Sequence, residues 1–346
     1  MEGALALAEV YPPSGDPEGL TDLQTEPSLL TGTKKRLRRS SMSPLRYPGA
    51  KRKMIPALRQ LIDANDPPPK LFVEPFCGGS SVSLGLLELG VVEKVLLSDL
   101  DPLVAAFWRE ATANGEAFVK DIRELEVTLE QWDYWRNTQP RSDRQLALKF
   151  LFLNRTTFSG IVGNNAGPIG GRSQSGKYKI DCRFNKDTLA KQILNVHRLY
   201  HEGRILPVVE PSHWSAALER AKWPAAEFDP KETILYLDPP YIEKAQRIYS
   251  LAFEEKDHHE LATRLIRTKH RWILSYDAEP LVLDLYRGYA NINEFRVVHH
   301  YTMTGARNRP VPGREVLFTN LPVDPTATER YENELSGQYR EQDQSS

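Results

Sequence analysis

A short apolar run that stops at two prolines constrains this chain most. Residues Thr233–Leu237 (TILYL) are followed at once by Asp238-Pro239-Pro240-Tyr241. The β-branched and aromatic run reads as a buried strand. Proline has no N–H and a fixed φ, so two in succession cannot continue a sheet ladder, and the chain must leave the strand with a stiff backbone. In an open α/β sheet, ligands bind in the crevice beyond the carboxyl ends of the strands. Asp238 and Tyr241 are therefore expected at the mouth of a site. An acid, a prolyl carbonyl and an aromatic ring suit an exocyclic amine on a flat heterocycle. The Asp238 carboxylate and the Pro239 carbonyl can accept its two N–H bonds while Tyr241 stacks on the ring. The plainer alternative is an ordinary strand-to-loop exit, because Asp-Pro and Pro-Pro are common turn signals.

Earlier segments supply the rest of such a fold. A strand at Lys70–Phe76 runs into Cys77-Gly78-Gly79-Ser80-Ser81 and a helix at Val82–Leu89. Strand, glycine turn and helix form the unit whose glycines let backbone approach a cofactor closely. A second strand, Lys94–Leu97, ends in Ser98-Asp99, and an acid there is well placed to accept hydrogen bonds from ribose hydroxyls. Such a nucleoside site could hold NAD as easily as S-adenosylmethionine. The loop reads GGSSVS rather than G-x-G-x-x-G, which counts against a dehydrogenase.

Between Asp99 and Asp238 lies a long insertion. Thr128–Asn137 and Arg144–Leu153 are expected to be helical, followed by Asn154-Arg155-Thr156-Thr157-Phe158-Ser159-Gly160 and a glycine-rich loop. Arg155, Arg172, Lys177, Lys179 and Arg183 are interleaved there with aromatic and small polar residues. Basic groups of this kind contact phosphates, and side chains such as Asn154 can read base edges. Helices are further expected at Asp187–Tyr200, around Trp214–Ala221 and at His258–Arg267. Strands are expected at Arg204–Val209, Arg271–Ser275, Glu294–His300 and Glu315–Phe318, which makes seven strands with a terminal antiparallel pair.

These segments carry a resemblance. YPGAK (residues 47–51), FVEPFCGGSSV, LSDLD, LNRTTFSG and LDPPY occur in the order seen in Dam-type DNA adenine N6-methyltransferases. The resemblance spans roughly Leu45 to Asn320. It implies an α/β fold: a doubly wound, seven-stranded Rossmann-like methyltransferase sheet with an inserted, mostly helical target-recognition region. It further implies a site-specific enzyme that transfers a methyl group from S-adenosyl-L-methionine to N6 of a flipped adenine in duplex DNA. Carried over by motif, Tyr47 and Lys51 belong to the N-terminal cofactor motif, with Lys51 near the cofactor carboxylate. Phe76 and Gly78 match the glycine loop, Asp99 the ribose acid, and Asp238, Pro239 and Tyr241 the catalytic motif, with Asp238 also close to the cofactor amino group. One departure is Ser80, where the family often has glycine; a serine can open a helix as its N-cap. A cytosine-N4 or RNA amino-methyltransferase, or a catalytically silent DNA-binding protein, are the competing readings. A cognate restriction endonuclease is a companion consistent with the resemblance.

Domain boundaries follow from composition. Residues 1–43 are acidic and then basic at Lys34–Arg39, and read as a disordered tail, as do residues 323–346. Residues 44–113 and 201–322 form the expected methyltransferase domain, with residues 114–200 as the insertion. A net charge of −1 gives no global basic signature, so any nucleic-acid surface must be local. Two cysteines and no long apolar run argue for a soluble cytoplasmic protein without a disulfide framework or a membrane span. The adjacent pairs His258-His259 and His299-His300 have no metal-ligand spacing and are expected at the surface, and no metal site is expected. Tryptophans 132 and 135 are expected to pack the insertion's helices.

Overall fold

The computed structural model describes residues 43–46, 51–163, 166–206, 212–218, 228–240, 253–301 and 311–323. The expectations for the N-terminal tail, Tyr47, Tyr241 and the segment beyond residue 323 fall outside these residues.

Among the described residues the sheet has six strands: β1 (Leu71–Glu74), β2 (Lys94–Leu97), β3 (Thr233–Leu237), β4 (Arg271–Asp277), β5 (Asn293–Tyr301) and β6 (Val311–Thr319). Their order is β2-β1-β3-β4-β6-β5. The first four are parallel and β6 is antiparallel to both neighbours. The uniformly apolar sequence of β3 is explained by burial on both faces. Ile234 and Tyr236 face one hydrophobic cluster, while Leu235 and Leu237 face another. Parallel strands covered by helices on both sides have no face left for polar residues.

On one face lie α1 (Ile55–Asp63), α2 (Ser81–Leu89), α3 (Pro102–Ala113), α4 (Gly115–Glu124), α5 (Leu129–Asn137), α6 (Asp143–Thr156) and α7 (Lys186–His201). The other face is covered by α8 (Glu255–Arg267) and α9 (Pro280–Tyr286), with Trp214 beside them. Helix starts follow their caps. Asp101, Thr128, Ser142 and Asn185 each accept a backbone N–H from the first turn of α3, α5, α6 and α7.

The helices of the expected insertion share the core of the sheet. Phe118 of α4 and Phe150 of α6 close on Phe107 of α3, with ring centroids 5.9 and 6.1 Å apart. Ion pairs Arg109–Asp143 and Arg144–Glu110 tie α3 to α6 across the same seam. Trp132 and Trp135 are buried as expected.

Of the strand expected at Arg204–Val209, the described residues 204–206 hold one parallel bridge, between Val95 and Ile205 beside β2, and the remainder lies outside the described residues. One expectation needs correction. His258 is not a surface residue. It is buried on α8 and its Nδ1 lies 2.5 Å from the Tyr276 hydroxyl. One member of an adjacent pair on an amphipathic helix faces the core while the other faces water. No helix among the described residues is long and apolar enough to cross a membrane.

Candidate active site

Acids gather at one end of the parallel strands. Glu74 closes β1, Asp99 follows β2, Asp238 follows β3 and Asp277 closes β4. The strand order reverses at β1, which has β2 on one side and β3 on the other. That reversal opens a crevice at the carboxyl ends, where doubly wound folds bind ligands.

Asp238 is only partly exposed, and its neighbours fix it. The buried Lys51, from the short turn Lys51–Met54, places Nζ 3.1 Å from Asp238 Oδ1. The Ser275 hydroxyl of β4 donates to the same oxygen at 3.0 Å and is itself 3.1 Å from the Tyr236 hydroxyl. Lys51 Nζ also lies 3.5 Å from Oε1 of Glu315, a buried acid on β6 opposite Asp277 in register. Burial works to lower the Lys51 ammonium, but Asp238 and Glu315 outweigh it and hold Lys51 above its ordinary range, so it stays charged. Burial, reinforced by Glu315, lifts the Asp238 carboxyl above the usual carboxylate range, against the pull of Lys51. Pro239 is buried directly after it.

The glycine loop adjoins this centre. Gly78 has φ +41° and its N–H donates to Asp99 Oδ2 at 2.9 Å, while the Asp101 N–H donates to Oδ1 at 3.0 Å. The Trp108 indole N–H donates to the Gly78 carbonyl at 2.8 Å and pins the turn. Burial pushes the Asp99 carboxyl up to about 7. Ser80 stands at φ +46°, a left-handed conformation that glycine adopts without strain. Its side chain makes no N-cap bond to α2, contrary to the capping expected from the sequence. Its hydroxyl donates instead to the Cys77 carbonyl at 3.3 Å. Phe76 meets Phe253 edge to face at 5.7 Å.

Glu74 was not singled out in the sequence, although it lies within the matching motif. Burial raises its carboxyl to about 8; the Ser83 hydroxyl, donating at 2.5 Å, works against this, and the fields of Asp238 and Asp99 add to it. Ser275 and Glu315 were also missed. An acid inside the apolar run of β6 is the one signal that could have drawn attention to Glu315.

The expected DNA-contacting residues divide into two groups. Asn154 is buried, and its carboxamide is used on backbone: it accepts the Arg46 N–H at 2.7 Å and donates to the carbonyls of Arg46 and Gly160 at 2.7 and 3.1 Å. It anchors the segment that leads into Lys51 and has no described exposure from which to read a base. Arg155 is largely buried, with Nε lacking a hydrogen-bond partner among the described residues. Burial, then Arg46 and Arg183, lower its guanidinium to about 10, so the three cations stand together. Arg172, Lys177 and Lys179 are exposed on the following loop. Arg172 pairs with Asp133 at 2.7 Å and lies over the Trp132 ring, and Lys179 donates to the Gln174 carbonyl. Among the described residues no group of three His, Cys, Asp or Glu could hold a metal ion.

Part of the chain is similar to a known family. Residues 47–196, which include the glycine loop, Asp99 and the helical insertion, match the family model of D12 class N6 adenine-specific DNA methyltransferases. That stretch of the chain is similar to the D12 class. The matched residues take in α4, α5, α6 and most of α7. Among curated proteins, the chain is 25% identical over 273 residues to the retron Ec67 DNA adenine methylase of Escherichia coli, covering 74% of this chain and 82% of that protein. It is 23% identical to the type II methyltransferase M.CviBI of Paramecium bursaria Chlorella virus NC1A, covering 73% of this chain and 88% of that protein. A third relative, the type II methyltransferase M.MjaIII of Methanocaldococcus jannaschii, is 22% identical over 50% of this chain and 58% of that protein.

Proposed function

We propose that this protein is an enzyme of the D12 class that transfers a methyl group from S-adenosyl-L-methionine to N6 of an adenine flipped out of a specific site in duplex DNA. The observation that carries the reading is Asp238, held at the β1/β3 crevice by a buried lysine and a buried serine.

The residues present fit the cofactor. The sulfonium donor is cationic, and the carboxyl groups of Asp99 and Asp238 stand at the same end of the parallel strands. Gly78 and its positive φ leave room for close backbone approach, and Asp99 supplies a carboxylate for ribose hydroxyls. Phe76, Lys51 and, by motif, Tyr47 complete the proposed cofactor set. When bound, the cofactor supplies an electrophilic methyl group on its sulfonium.

The remaining work is orientation and charge. An adenine amine is a weak nucleophile because its lone pair is delocalised into the ring. Asp238 and the Pro239 carbonyl, accepting its two N–H bonds, favour a pyramidal nitrogen and direct the lone pair outward. Tyr241 would take the face of the extruded base. Arg155, Arg172, Lys177 and Lys179 are proposed to meet the DNA backbone, with Arg46 and Arg183 joining Arg155.

The test is incubation of the protein with S-adenosyl-L-methionine and unmethylated duplex DNA, followed by digestion to nucleosides and mass spectrometry. N6-methyladenine is expected. N4-methylcytosine, or no methylated base, would refute the reading. Asp238→Ala should lower turnover by at least about 100-fold, as loss of a transition-state hydrogen-bond acceptor does. Its DNA affinity should stay near that of the unaltered protein. Equal loss of binding and turnover would make Asp238 a structural residue.

A further inference from the structure

Phe253 leads into α8 at a fixed angle. The helix starts after Glu254, whose N–H donates to the Asp257 carboxylate at 2.8 Å, as in a capping box. Phe253 is the residue before that cap, and His258 is the fourth residue of the helix. Their rings meet edge to face, with centroids 4.6 Å apart. This is the pairing of a hydrophobic staple, which sets how a chain enters a helix. His258 is buried, and burial lowers its imidazole to about 4, so at neutral pH it packs as an uncharged ring. Its Nδ1 lies 2.5 Å from the Tyr276 hydroxyl, which ties the staple to β4.

The same ring reaches the glycine loop. Phe253 meets Phe76 edge to face at 5.7 Å, and Phe76 directly precedes Cys77-Gly78. Both phenylalanines are partly exposed and pack on the hydrophobic cluster under β1, β3 and β4. We propose that Phe253 is a positioning residue for cofactor binding: the staple on α8 holds its ring against Phe76 and so keeps Phe76 turned to the S-adenosyl-L-methionine site. This rests on the reading of Phe76 as a cofactor contact.

A phenyl ring makes no hydrogen bond that could fix its orientation, so the packing around Phe76 selects its rotamer. Phe253 comes from far along the chain, beyond the Asp238-Pro239-Pro240-Tyr241 motif, and links the start of α8 to the loop after β1. Starting α8 does not by itself require an aromatic residue at this position. Any apolar side chain would satisfy a staple, whereas the edge-to-face pair with Phe76 needs a ring. That difference separates a structural role from a positioning one.

The experiment compares the full-length protein with Phe253→Leu, Phe253→Tyr, Phe76→Leu and the double variant carrying both leucines. It measures the Kd for S-adenosyl-L-methionine by titration, kcat at saturating cofactor and the melting temperature. Phe253→Leu keeps the staple apolar and is expected to raise the Kd about three- to tenfold. At saturating cofactor its kcat should fall by less than about twofold, and its melting temperature by less than about 4 °C. Phe253→Tyr, which keeps the ring, should bind as the unaltered protein does. Phe76→Leu should weaken binding by itself, and adding Phe253→Leu to it should cost less than about a further twofold, because the two rings act as one pair. The proposal is overturned if Phe253→Leu leaves the Kd unchanged, if Phe253→Tyr binds as weakly as Phe253→Leu, or if the two leucine effects simply multiply. It is equally overturned if Kd, kcat and melting temperature worsen together, which would make Phe253 a structural residue alone. Should Phe76→Leu leave the Kd unchanged, the reading of Phe76 as a cofactor contact fails and this role falls with it, an outcome distinct from a site that is sensitive to Phe76 and indifferent to Phe253.

Discussion

Glu74 shows what the crevice costs the apo protein. Its carboxyl is buried and raised to about 8, so the folded chain keeps a proton that the unfolded chain releases near pH ~4.3. The sign follows from linkage. Stability from this group is fully present at acid pH, is lost as pH rises from the unfolded value toward about 8, and is flat above that. Glu74→Gln is neutral at every pH and its carbonyl can still accept the Ser83 hydroxyl. It should raise the unfolding free energy at pH ~8 by about 1–3 kcal/mol and leave it near that of the unaltered protein at pH ~4. Urea melts at the two values decide this, and an equal effect at both would mean that the carboxyl is not titrating. Asp99 should respond in the functional direction. Its carboxyl is raised to about 7, and its ionised form is the better acceptor for ribose hydroxyls, so cofactor affinity is expected to weaken as pH falls through that value.

At the level of elements, the loop after α6 is built around one close approach. Gly160 has φ +77°, and a Cβ there would sit 2.3 Å from the Arg46 carbonyl oxygen. Asn154 ties the same two stretches together by donating to the carbonyls of Arg46 and Gly160. Gly160→Ala should therefore destabilise the protein by about 1–3 kcal/mol, by strain and backbone collision together. Because the displaced segment leads directly into Lys51, methyl transfer should fall further than the loss of folded protein explains; thermal melts and specific activity measured on the same sample would show it. Elements of this kind were legible in sequence where one physical rule dominated. The run TILYL reads as a buried strand, and apolar spacing places the helices at Thr128–Asn137, Arg144–Leu153 and Asp187–Tyr200. Asn154 was misleading because a carboxamide suits base edges and backbone alike, and only packing selects between them. His258 was misleading because adjacency rules out a shared ligand but does not say which partner turns inward.

Across the whole molecule, the site joins residues far apart in sequence, and this is why part of it was not legible. Motif order gave Asp99 and Asp238, each at a strand end. No local pattern could announce that Lys51, Asp238 and Glu315 meet, since they arrive on a turn before α1, on β3 and on β6. Charge has the same long-range character. The chain carries a net charge of −1, so affinity for duplex DNA must come from local cations such as Arg46, Arg155 and Arg183. If that cluster meets a phosphate, Arg183→Gln should weaken binding similarly on every sequence and reduce the slope of log affinity against log salt by about one. A loss confined to one DNA sequence would instead assign Arg183 to base reading.

The central position of β3 also sets the order in which this sheet can be completed. β1 pairs with β2 early in the chain, but its other edge is filled only by Thr233–Leu237, after α3 to α7 have been made. During synthesis β1 therefore presents an open, apolar edge on the very strand that carries the glycine loop, the kind of edge that recruits foreign strands. Chains truncated within or just after the helical insertion should be insoluble rather than merely inactive. Expression yield should recover only in fragments long enough to bring β3, and with it Asp238, into the sheet.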